Sequence, residues 1–116
     1  MNKIKVALAF FLLIFSVVVL GQEAAVRIEP ANWWVGMKYN QVELLVHGDN
    51  IGATTPAVNY PGVNILNIKK SDSPNYLFVT IDIAAHTKPG KFPIEFQHDG
   101  KTQSRFEYEL LAREKN

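Results

Sequence analysis

The chain contains no cysteine. That excludes disulfides, zinc–thiolate centres and thiol nucleophiles together. Its three histidines, His47, His86 and His98, share no metal-ligand spacing, and no HExxH motif is present. A G-x-S-x-G nucleophile elbow and a phosphate-binding glycine loop are also missing. No cofactor is implied. Charge of one sign is lacking too: the formal net charge is +1, with no basic run and no aromatic–basic interleaving, so no nucleic-acid partner is expected. Acidic residues are scattered. Glu107 and Glu109 share a strand face, whereas a glycosidase pair must flank a cleft. Helical periodicity is nearly absent. The chain alone reads as non-catalytic.

What is present begins with an apolar leader. Residues 1–21 read MNKIKVALAFFLLIFSVVVLG. Lys3 and Lys5 form a short basic region, Val6–Leu20 is apolar apart from Ser16, and Val19 and Gly21 precede a cut before Gln22. This is the pattern of a cleavable signal peptide, and the run is shorter than the roughly 20 residues a span needs. The expectation is a periplasmic or secreted protein that meets the membrane only during export. A small exported domain without disulfides must rely on its core.

Residues 22–116 form one domain in this reading, of the 116 in the chain. Short alternating runs separated by turn residues predict an all-β fold, an immunoglobulin-like β-sandwich of about seven strands. The expected strands are Val26–Glu29, an irregular Trp33–Lys38, Gln41–His47, an edge strand Pro56–Tyr60, Val63–Lys69, Tyr76–Ile83, Lys91–His98 and Thr102–Leu111. Pro93 marks Lys91–His98 as an edge or a strand end. Asp-Gly at 99–100 predicts a tight hairpin. The closing LLAREKN reads like the start of a linker.

Aromatic residues concentrate at NWWVGMKY, residues 32–39. Strand alternation puts Trp33, Val35 and Met37 on one face and Trp34 and Gly36 on the other. One tryptophan then anchors in the sandwich and the other emerges. Three readings are open for Trp33, Trp34, Met37 and Tyr39: a plug for the open end of the core, a seat for a neighbouring domain, or a platform for sugar rings. Tyr76 and Phe78 lie opposite Leu77 and Val79. They cover a second apolar layer or belong to a domain or subunit interface.

The order of these pieces resembles the N-terminal domain of bacterial cyclomaltodextrinases and neopullulanases of the Bacteroidetes type. The matching segments are RIEPANWWVGM (27–37), LLVHGDNI (44–51), YPGV (60–63), NYLF (75–78) and KPG (88–90). WWVGM is the most specific of them. The resemblance implies an immunoglobulin-like accessory domain ahead of a catalytic (β/α)₈ barrel of the α-amylase superfamily. Such enzymes act on α-1,4 links in cyclodextrins, pullulan and malto-oligosaccharides. Their catalytic carboxylates lie in the barrel, so no catalytic residue carries over to this chain. The implied partners are that barrel and an α-glucan or cyclodextrin. A looser resemblance to TIG-like surface domains, through NYLFVTIDI and KPGKFPIEF, implies instead a stand-alone binding or spacer module of the same fold class.

Overall fold

The computed structural model describes residues 24–114. The expected signal peptide over residues 1–21 lies outside them. Among the described residues, eight strands form two four-stranded sheets. They are β1 (Val26–Glu29), β2 (Asn32–Trp34), β3 (Gln41–Gly48), β4 (Thr55–Val58), β5 (Val63–Lys70), β6 (Tyr76–Ile83), β7 (Gly90–His98) and β8 (Lys101–Leu111). The first sheet runs β1-β3-β6-β5 and the second β2-β8-β7-β4. Every pairing is antiparallel except β2 with β8, which is parallel.

Period-two patterning is the cause of this architecture. Val42, Leu44 and Val46 of β3 are buried, as are Leu77, Val79, Ile81 and Ile83 of β6. From the second sheet Phe92, Ile94, Phe96, Tyr108 and Leu110 point back at them, and all belong to one core cluster. Each such side chain contributes about 1.5–3 kcal/mol on full burial. In a chain without cross-links, that core is the main stabilising term. A shift of register by one residue would turn every one of these side chains to water.

The loops are tied to the same frame. Asn75 accepts from Gly48 N through its backbone oxygen at 3.0 Å and from Asn50 N through Oδ1 at 3.0 Å. Tyr60 stacks on Phe92 at 4.7 Å and donates its hydroxyl to the Lys88 carbonyl at 2.7 Å. The ring thereby pins the turn leading into β7.

Three features differ from the sequence expectation. Eight strands stand against an expectation of about seven, because every one of the eight segments named above forms a strand, the irregular leading one included: β1 joins the first sheet, and after Pro30–Ala31 the chain crosses to lie along β8 as β2. The strand expected over Trp33–Lys38 ends at Trp34. Val35 N makes one more bond, to the Leu111 carbonyl at 3.0 Å, and Gly36 then turns away with φ 71°. Finally, β7 lies inside its sheet despite Pro93. Its pairing with β4 starts at Ile94, so Pro93 sits just past that ladder.

Candidate functional site

The parallel pairing of β2 with β8 matches Trp33 with Leu110 and Trp34 with Leu111. Alternation does the rest. Trp33 and Leu110 face inward, where Trp33 is partly buried against the core. Its indole Nε1 is buried and has no hydrogen-bond partner among the described residues. Trp34 and Leu111 face out, and Trp34 is 39% exposed. The two indoles meet edge to face, with centroids 5.6 Å apart and planes at 63°.

The turn at Gly36 brings Met37 back beside Trp34. Arg113 closes the other side by donating Nη1 to the Gly36 carbonyl at 3.1 Å. The result is an open groove of about 670 Å³ walled by Trp34, Met37, Leu111, Ala112, Arg113 and Glu114. Its floor is apolar, and the charged side chains come only from the segment after β8. Chemically it is a surface that gains by being covered rather than a reaction chamber.

The six candidate residues fall at separate places. Trp34 and Met37 share the groove, while Trp33 packs beneath it. Tyr39 is 79% exposed and does not line the groove. Tyr76 and Phe78 belong to the outer face of the first sheet. There Tyr76 rests on the His47 imidazole at 4.7 Å, and Lys69 Nζ stands 6.0 Å from the Phe78 centroid. Leu111, Ala112 and Arg113 were not singled out in the sequence. A signal existed for Leu111: it continues the outward row of Arg105, Glu107 and Glu109, where a leucine is out of place.

Other polar groups hold structure. His98 uses Nδ1 on the Ala53 carbonyl at 3.0 Å and Nε2 toward Asp99 at 3.3 Å. Arg105 lies 3.7 Å from Glu95 across β7 and β8. Burial holds the Tyr108 phenol well above the ordinary tyrosine range; it sits in the core, away from the groove. Among the described residues no three histidine, aspartate or glutamate side chains gather as a metal site.

Residues 27–114 match the protein-family model described as "Cyclomaltodextrinase, N-terminal". The match runs from β1 through the last residue of the groove wall.

Proposed function

We propose, from the premise that the chain belongs to the cyclomaltodextrinase N-terminal domain family, that its β domain seats a following catalytic barrel through the groove at Trp34. The domain is then the non-catalytic leading module of an α-amylase-type enzyme acting on cyclodextrins, pullulan or malto-oligosaccharides. Its strand order, β1-β3-β6-β5 over β2-β8-β7-β4 with a divided first strand, supports an immunoglobulin-like sandwich.

One observation carries the seat. The segment after β8, Ala112–Glu114, is itself a wall of the groove. A domain joined beyond that segment is tethered beside Trp34, where a short link makes contact effectively intramolecular. Trp34, Met37 and Leu111 supply the apolar centre of such a contact, and Arg113 and Glu114 supply its polar rim.

A sugar platform has narrower support. One partly exposed indole suits the apolar face of a glucose ring, but the groove adds only the two charged residues at its edge. Export is part of the same proposal: residues 1–21 direct the chain out of the cytoplasm, and the exported form starts at Gln22.

The test pairs the purified domain with the catalytic barrel that this reading assigns to it. Association should weaken by about 10-fold or more in Trp34→Ala and in Leu111→Ser, the loss expected of a central apolar anchor. Unchanged association in both variants sinks the seat. A tryptophan fluorescence response to β-cyclodextrin, abolished by Trp34→Ala and present without the barrel, would favour the sugar platform instead.

A further inference from the structure

The chain holds two methionines, Met1 and Met37, and no cysteine. Export as proposed above removes Met1, so Met37 carries the only sulfur of the exported form. The fold presents that sulfur at an open surface. Strand alternation alone would turn Met37 to the side of Trp33. The ladder stops before that happens. Val35 N bonds the Leu111 carbonyl at 3.0 Å, Gly36 reverses the chain at φ 71°, and Arg113 holds the turn through Nη1 on the Gly36 carbonyl at 3.1 Å. Met37 therefore lands half-buried in the wall of the open groove, and Trp34 and Arg113 line the same space.

We propose that Met37 is an oxidation site for peroxides, and that its sulfoxide switches the groove from apolar to polar. A small peroxide enters from the open side, and the susceptibility of a methionine follows such access. A lone pair of the thioether attacks one peroxide oxygen. The S–O bond forms, the O–O bond breaks, and the proton on the transferred oxygen passes to the departing hydroxide, which leaves as water. Sulfur is oxidised and the peroxide is reduced by the same electron pair. The flexible apolar side chain becomes a polar one with an acceptor oxygen in the groove of Trp34. Arg113 has N–H donors beyond the one given to Gly36, and these suit that oxygen.

The oxidation stands on the groove alone. Its consequence for docking rests on the barrel reading above. An apolar occupant loses the thioether contact and has to desolvate the sulfoxide. A domain oxidised before assembly should then dock about 3- to 10-fold more weakly, and a docked domain should be shielded from peroxide.

The test uses the chain starting at Gln22 without a barrel, because the whole core lies within residues 24–114. Hydrogen peroxide is the probe. Peptide mass mapping should find one added oxygen at Met37, formed at a rate within about 10-fold of that for free N-acetylmethionine. Tryptophan emission should shift to longer wavelength in step, as a polar group replaces an apolar neighbour of Trp34. The two methionine sulfoxide reductases, one for each epimer, should remove the oxygen and return the emission. Met37→Leu keeps the apolar wall and should show neither change. Trp34→Phe should take up the oxygen without the shift. A Met37 that resists peroxide overturns the inference, as does a sulfoxide that leaves the emission where it was. A shift of equal size in Met37→Leu also overturns it, and would mean that the indole itself is oxidised. Barrel association is measured separately: unchanged association in Trp34→Ala and Leu111→Ser removes the docking consequence and leaves the oxidation result standing.

Discussion

Gly62 and Thr87 show how closely the corner before β7 is built. Gly62 has φ 93°, and a Cβ there would overlap the Thr87 hydroxyl. Thr87 is itself buried. Gly62→Ala thus meets both a backbone penalty and a steric one, and should cost about 2–4 kcal/mol, read as a drop in the urea midpoint. Tyr108 is the opposite case. Its hydroxyl is buried without a partner among the described residues, so Tyr108→Phe should be neutral or stabilising, by up to about 1 kcal/mol. Burial also raises its folded-state pKa. Below the ordinary tyrosine pKa of about 10 both states keep the phenolic proton, and this group adds no pH dependence. Above it the unfolded chain releases the proton while the folded chain holds it. Stability then falls as pH rises, until the folded group ionises as well. Urea midpoints measured between about pH 8 and about pH 11 should fall less steeply in Tyr108→Phe than in the parent.

At the scale of elements, the hairpin joining β7 and β8 gives a cleaner test of backbone alone. Asp99 has φ 51° and Gly100 φ 77°, the mirror-image turn that an Asp-Gly pair permits. A Cβ on Gly100 meets nothing within 4 Å. Gly100→Ala should therefore cost only the left-handed backbone term, about 1–2 kcal/mol, well under Gly62→Ala by the same urea measurement. This hairpin and the long strands were legible in the sequence because local chemistry decides them. Gln41–His47, Tyr76–Ile83 and Thr102–Leu111 alternate cleanly, and their buried sets follow that alternation. Where the sequence misled, a distant strand had decided the outcome. Nothing local in residues 26–34 reveals that β8 will accept Trp33 and Trp34 as a parallel edge while β3 takes Val26–Glu29. Pro93 likewise reads as an edge signal only if the length of β4 is ignored. In β5 the apolar residues on both faces arise from a bulge between Ile65 and Asn67, which leaves Leu66 52% exposed.

For the whole molecule, the question is what covers the groove. The opposed faces of Trp33 and Trp34 could be read from alternation, but the groove could not. Its far wall comes from residues 111–114, remote in sequence, and only the β2–β8 pairing brings them to Trp34. The two indoles now differ enough to be told apart in solution. Trp33 packs on the core, whereas Trp34 is 39% exposed. Iodide, which quenches only fluorophores it can touch, should quench one emission component of the isolated domain and spare the other. Trp34→Phe should abolish the quenchable component, and Trp33→Phe should retain it. Joined to the catalytic barrel proposed above, the same component should lose its access to iodide and shift to shorter wavelength, because a covered indole leaves water. An indole that stays equally quenchable in the joined protein would mean that the groove faces solvent in the assembled enzyme. In that case the apolar floor of Trp34, Met37 and Leu111 would need an occupant other than the barrel, and β-cyclodextrin protection against iodide is the measurement that would identify a sugar in that role.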